Sequence, residues 1–236
     1  MIDLHCHILP AIDDGAPDME TTLKMLAMAE DDGISHIAAS PHFRYGEEPG
    51  QGQILELLQS VQEEAAKRGI SVKLCGAADI RLTYELFGAL ENRDMPTIAQ
   101  SRYFLLELPE LLPPHLDDFI FEAGIKGYVP IITHPERNYS ILAQTEKAEA
   151  LSDAGALLQL TAMSITGEFG RQIRRCSMHL LQSGCVDFVA SDAHSINRRV
   201  PVLSKAFGEI AAEFGRDAAQ KLFIGNPMAV IENREI

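Results

Sequence analysis

Short apolar or β-branched runs along the chain alternate with longer segments whose apolar positions recur every three to four residues. The short runs, at residues 2–7, 35–40, 71–79, 103–108, 128–133, 156–160 and 186–191, read as strands. The longer segments, at 18–32, 53–68, 84–92, 115–123, 138–154, 168–182, 202–214 and 216–223, read as helices. Gly33, Gly69, Gly124, Gly155 and Gly184 stand at helix ends, where a left-handed residue lets the chain turn back toward a sheet. Pro17 and Asp18 mark a helix start. Seven β/α units without a reversal predict an α/β protein with a closed or nearly closed barrel, not an open doubly wound sheet. No repeat, low-complexity tract or linker divides the 236 residues, so a single domain over 1–236 is expected.

Barrel enzymes build their sites at strand C-termini, so the residues at those ends carry the functional signal. The first strand delivers His5 and His7, the second ends in Ser40-Pro41-His42, and the third ends at Asp79. The fourth supplies Glu107, the fifth His134 in Thr133-His134-Pro135-Glu136-Arg137, and the seventh Asp192 and His194. The sixth, through Leu160, ends without an obvious ligand. Residues two apart on a strand share a face, so His5 and His7 can reach one ion while Cys6 points away. His36, His115 and His179 fall elsewhere and read as structural or surface residues. Imidazole suits Zn²⁺, Mn²⁺ or Fe²⁺, and carboxylates shift the preference toward harder ions such as Mn²⁺. This donor set exceeds what one four-coordinate structural ion needs. It suits two or three ions about 3.5–4 Å apart.

Composition narrows the alternatives. A net charge of −14 argues against nucleic acid as a partner, because backbone binding needs clustered cations. No apolar run approaches the roughly 18 residues of a membrane span, so no membrane insertion is expected. The N-terminus shows no basic segment followed by an apolar core and a cleavage site, which makes a cytoplasmic protein the expectation. The four cysteines form no C-x-x-C pair and read as small buried hydrophobes. No G-x-G-x-x-G or Walker loop points to a nucleotide. No Cys-x₅-Arg loop supports a cysteinyl-phosphate route.

The stretches H-C-H-I-L-P-x-I-D-D-G-A, S-P-H, H-P-E-R and S-D-A-H resemble the polymerase-and-histidinol-phosphatase (PHP) superfamily. Within it they are most similar to the bacterial manganese-dependent protein tyrosine phosphatases encoded with capsular and exopolysaccharide genes. D-D-G-A and H-P-E-R favour that branch over histidinol phosphatase. The resemblance runs from Met1 to Asn226-Pro227. It implies a distorted (β/α)₇ TIM-like barrel, the PHP fold, with up to three metals, Mn²⁺ foremost and Fe or Zn as alternatives. By resemblance His5, His7, His42, Glu107, His134, Asp192 and His194 are ligands, Asp79 is a bridging carboxylate and Arg137 contacts phosphate. Asp79 stands where the family commonly has Glu, one methylene longer, and Ala11 replaces a common glycine, a change that reads as minor.

Asp14 joins this set as a catalytic-site carboxylate, either orienting the ring of His5 or His7 or stabilising the turn. Arg44, Arg81 and Arg199 are further loop cations within reach of a phosphate. The implied partner is a bacterial tyrosine autokinase bearing phosphotyrosine. The alternatives are a phosphoesterase acting on a small monoester, such as histidinol phosphate or a sugar phosphate, and a silent barrel stabilised by metal.

Overall fold

The computed structural model describes residues 1–47, 49–92 and 94–236. Among them lie nine parallel strand segments: β1 (Ile2–Cys6), β2 (His36–Ala39), β3 (His42–Phe43), β4 (Lys73–Gly76), β5 (Asp79–Arg81), β6 (Tyr103–Glu107), β7 (Val129–Thr133), β8 (Leu157–Thr161) and β9 (Phe188–Ala190). They pair in the orders β1-β2-β4 and β3-β5-β6-β7-β8-β9. The seven expected strands are thus present, but a further short strand, β3, follows the second beyond its expected end, and the third is split into β4 and β5. Pro41 has no N–H to give a ladder and separates β2 from β3. Pairing steps across both breaks, with Ala77 N–H donating to Ala39 O (3.0 Å) and Asp79 N–H to Pro41 O (2.9 Å). The two sheets therefore form one bent wall.

Its outer strands meet at a short seam just past the end of β9. There Cys6 and Ala193 make an isolated parallel bridge. Asp192 N–H donates to His5 O (2.8 Å) and His7 N–H to Ala193 O (2.9 Å). The buried Asp3 carboxylate reinforces this seam by accepting from Ser191 N–H (2.9 Å) and Ser191 Oγ (2.5 Å). A distorted seven-unit barrel results, with every strand C-terminus at one end.

Helices cover the outside: α1 (Met19–Asp31), α2 (Gln51–Lys67), α3 (Glu85–Asn92), α4 (Leu116–Ile125), α5 (Tyr139–Ala143), α6 (Glu146–Asp153), α7 (Ala162–Thr166), α8 (Arg171–Ser183), α9 (Ser204–Phe214), α10 (Arg216–Gln220) and α11 (Asn226–Ile231). Asp18 caps α1 as its sequence position suggested, accepting from Thr21 N–H at 2.7 Å. The single helix expected over 138–154 is two, because Gln144 is extended (φ −149°, ψ 96°). The helix expected over 115–123 runs to Ile125, and the left-handed residue beyond it is Gly127 (φ 85°) instead of Gly124.

Burial explains how β1 aims its histidines. Ile2 and Leu4 join a small inner cluster with Leu105, Ile131 and Phe188. Strict alternation would put Cys6 there too, yet Cys6 packs in the larger cluster. The register of β1 against β2 shifts between Asp3 and Cys6, and this irregularity moves the following side chains to the opposite faces. Past it, His5 and His7 face the strand C-terminal end of the barrel, both fully buried.

The turn after β1 is equally constrained. A Cβ on Gly15 would fall 2.2 Å from His7 O and 2.7 Å from His7 Cβ, so only glycine permits the close approach. Ala11 has φ 54°, the left-handed region that glycine occupies without strain, so its replacement of the family glycine carries a cost that the sequence alone did not reveal. In urea unfolding, Gly15→Ala is expected to lose about 3 kcal/mol. Ala11→Gly is expected to gain up to about 1 kcal/mol. Equal midpoints for both variants and the parent chain would show that this turn is unstrained.

Candidate metal centre

Strand register brings the donors together. His42 pairs with Asp79 across β3 and β5, leaving His42 Nδ1 3.4 Å from Asp79 Oδ2. Arg81 pairs with Glu107 across β5 and β6, and the two form an ion pair at 3.0 Å. Thr133 pairs with Gln159 across β7 and β8, and Thr133 Oγ1 donates to Asp79 Oδ1 at 3.1 Å. His134 (φ 39°) and Asp192 (φ 52°) both sit in left-handed conformations just beyond strand ends. Non-glycine residues hold such backbone only where the surroundings impose it.

Hydrogen bonds set the tautomers. His7 Nδ1–H donates to Asp13 Oδ2 (2.7 Å). His5 Nδ1–H donates to Gln159 Oε1 (2.9 Å), whose amide is oriented by its own donation to Leu160 O (3.0 Å). His194 Nδ1–H donates to Asp192 O (3.0 Å). Each ring therefore turns an Nε2 lone pair into the site. His5 Nε2 and His7 Nε2 lie 3.0 Å apart, two acceptors facing each other. His5 Nε2 is also 3.6 Å from Asp79 Oδ2 and 3.5 Å from Asp192 Oδ1. Asp79 Oδ2 and His194 Nε2 are buried without hydrogen-bond partners. Converging lone pairs and orphaned acceptors repel one another unless a cation lies among them, so these residues fit a metal cluster.

Three overlapping donor groups emerge among the described residues: His5, His7 and Asp192; His7, Asp14, His42 and His194; and His42, Asp79 and Glu107. His7 and His42 each belong to two groups. The sequence-predicted ligands other than His134 fall within them. His134 lies outside these groups, with its ring centroid 5.8 Å from that of His5. His36, His115 and His179 lie away from the cluster, beside Ser35, Asp118 and Glu149.

Asp13 rather than Asp14 orients His7. It also accepts from Gly15 N–H (2.9 Å) and His42 N–H (3.0 Å), tying the D-D-G turn to two histidines. Asp14 is exposed and stands 3.5 Å from His42 Nε2 and 3.4 Å from His194 Nε2, so its carboxylate points at the cluster itself. Sequence reasoning also missed Gln159 on the strand that seemed to lack a ligand, and Asp3. Asp3 carried a signal only as a charged residue inside an apolar strand, because the irregularity in β1 breaks the D-x-H-x-H alternation. Gln159 carried a fainter one, an amide inside an apolar strand.

Electrostatics keep His7, His134 and His194 neutral and hold Asp13, Asp79 and Asp192 ionised. Burial lowers the pKa of His7, with His5 adding to the effect against Asp13. Burial and Arg137 bring His134 down to about 3, and burial and His7 bring His194 to about 4. For Asp13, burial opposes the charge, but His7, Gly15 N–H and His42 N–H hold the carboxyl at about 2. Burial also opposes the charges on Asp79 and Asp192, yet neighbouring histidines, and for Asp192 Arg137 and Arg199, hold both below the ordinary carboxylate range. His42 differs: burial would lower it, but Asp79, Glu107 and Asp14 raise it to about 9.

Beside the cluster opens a cleft of about 440 Å³ lined by His42, Glu107, His134, Arg137, Asp192 and Arg199, among others. Asp192 links cluster and cleft. Its Oδ1 faces the histidines while Oδ2 takes Arg137 Nη2 (2.5 Å) and Arg199 Nη2. Arg137 also lies over the Phe169 ring, 5.3 Å from its centroid. Arg44 is paired with Glu47 at 3.2 Å and stands apart from the Arg137–Arg199 pair, in a neighbouring depression with Arg81 and Glu107.

Comparison with known proteins agrees with this geometry. Tyrosine-protein phosphatase YwqE of Bacillus subtilis is 32% identical over 240 residues, spanning 100% of this chain and 91% of that protein. Tyrosine-protein phosphatase CpsB of Streptococcus pneumoniae is 29% identical over the full length of both chains. Among crystal structures of YwqE and CpsB described as metal-dependent tyrosine phosphatases, one superposes with a TM-score of 0.95 at 32% identity, covering 100% of this chain and 96% of that one. A β-aspartyl dipeptidase from Fervidobacterium islandicum shares the fold alone, with a TM-score of 0.60 at 14% identity. The family model for capsular polysaccharide synthesis, CpsB/CapC, matches residues 1–232, and the chain belongs to that family.

Proposed function

We propose that this protein is a manganese-dependent tyrosine phosphatase, acting in the cytoplasm as a single catalytic domain on a phosphotyrosine-bearing bacterial tyrosine kinase and so regulating capsular or exopolysaccharide synthesis. The observation that carries the reading is the junction at Asp192, where a set of inward-facing Nε2 lone pairs meets two arginines at one cleft. Family membership and the phosphatase names of the relatives support it. Against a silent barrel stands the open cleft beside the donors.

His5, His7, His42, Asp79, Glu107, His134, Asp192 and His194 hold two or three ions, with Asp14 as a further carboxylate at the open side. Divalent cations, when bound there, would supply Lewis-acid activation of water and charge neutralisation at the phosphoryl group. Arg137 and Arg199 grip the phosphoryl oxygens, and Asp192 sets the separation of the two guanidinium groups before substrate arrives. Phe169 fixes the plane of Arg137. Asp13 and Gln159 keep the Nδ1 protons of His7 and His5 in place, so that both Nε2 atoms stay available. Tyrosine is a leaving group with a conjugate-acid pKa of about 10, so departure needs little protonation help.

Treatment with chelator followed by dialysis is expected to abolish hydrolysis of a phosphotyrosine peptide, and added Mn²⁺ to restore it. Full activity in the stripped protein would contradict the metal mechanism. Asp13→Asn is expected to raise the Mn²⁺ concentration for half-maximal activity by about 10- to 100-fold while the fold persists. An unchanged Mn²⁺ titration would remove Asp13 from its role on His7.

A further inference from the structure

The cleft is lined by two unlike kinds of surface. Its polar lining includes the Arg137–Asp192–Arg199 junction, and its apolar lining comes from Leu108, Pro135, Tyr139, Leu142 and Ile173. Tyr139 opens α5 and is 64% exposed, a large aromatic ring left in water at the cleft mouth. Leu142 follows three residues later on the same helix face, and Ile173 comes from α8, which packs beside α5.

This wall offers few free polar groups to a leaving alcohol. Asn138 Oδ1 accepts from Ser140 N–H (3.0 Å) and its Nδ2 donates to Pro109 O (2.8 Å), so its amide is committed to the protein. Thr133 Oγ1 is committed to Asp79. Glu110, exposed at the rim, accepts but does not donate. On this wall the Glu110 carboxylate and the Tyr139 hydroxyl remain for an alcohol's hydroxyls, so a polyhydroxylated alcohol bound against the apolar residues replaces only part of its hydrogen bonding to water. A phenyl ring gives up little and gains the face of Tyr139.

We propose that Tyr139, backed by Leu142 and Ile173, forms an aryl subsite that selects phosphate esters of phenols over those of aliphatic or polyhydroxylated alcohols. The proposal rests on the phosphatase reading and deepens it: the arginines recognise any phosphate, and this wall recognises the ring. Capture by the arginines then brings the ring against α5, which packs on the segment that carries Arg137.

Binding of two non-hydrolysable phosphonates to the Mn²⁺-loaded full chain separates these contributions without turnover. Calorimetry should show phenylphosphonate bound about tenfold more tightly than methylphosphonate, the scale of one buried aromatic contact. Tyr139→Ala should reduce that preference to about twofold while leaving the methylphosphonate Kd unchanged, and Tyr139→Phe should preserve it. Equal weakening of both ligands in Tyr139→Ala would show a merely structural role and overturn the proposal, as would an undiminished preference. A parent protein that binds both phosphonates equally sinks the aryl subsite alone. One that binds neither sinks the phosphatase reading with it.

Discussion

The Nε2 atoms of His5 and His7 face each other at 3.0 Å with their Nδ1 protons already committed elsewhere. Two acceptors cannot hydrogen-bond to each other, and both rings are fully buried, so water does not relieve them. Asp79 and Asp192 bring carboxylate oxygens to within 3.6 Å of the same place. Everything around the centre serves to maintain this otherwise unfavourable arrangement. The register irregularity in β1 aims the pair, Asp13 and Gln159 lock the rings, and the Gly15 contact holds the turn that supplies Asp13.

The barrel absorbs the strain of that construction. His134 and Asp192 occupy left-handed backbone at strand ends, and each is pinned by its neighbours. His134 N–H donates to Gln159 O (2.9 Å) and Asp192 N–H to His5 O (2.8 Å). Glu136, fully buried, accepts from Thr161 N–H (3.0 Å) and Ser164 Oγ (2.6 Å), anchoring the segment that carries Arg137. The seam between β1 and the end of β9 is short, yet it contains Asp3, His5, Asp192 and Ala193. Barrel closure and site assembly therefore depend on the same few hydrogen bonds, and local stability there is also a condition for function.

The ligand-bearing strand ends were legible because a parallel barrel sends every C-terminus to one side, so spacing in the sequence becomes proximity in space. His42, Asp79 and Glu107 could be named for that reason. The breaks at Pro41 and Ala77-Ala78 were not read, because continuous apolar character conceals a bend. The β1 irregularity was hidden because H-x-H already satisfied simple alternation. Asp13 and Asp14 are chemically identical neighbours, and only the turn geometry set by Gly15 decides which carboxylate reaches His7. Gln159 was overlooked because its role is to orient a ring, which leaves no motif. Ala11 shows the same limit from the other side: a substitution that looks small in sequence sits at φ 54°.

The site depends on His5 and His7 presenting unprotonated Nε2 atoms to a shared cation. Long-range ¹H–¹⁵N correlation spectra of imidazole-labelled protein, recorded with stoichiometric Zn²⁺ as a diamagnetic ion, test it directly. Both residues are expected to carry their proton on Nδ1, and both Nε2 resonances to shift on Zn²⁺ addition. A proton on either Nε2 in the loaded protein, or Nε2 resonances indifferent to Zn²⁺, would contradict it.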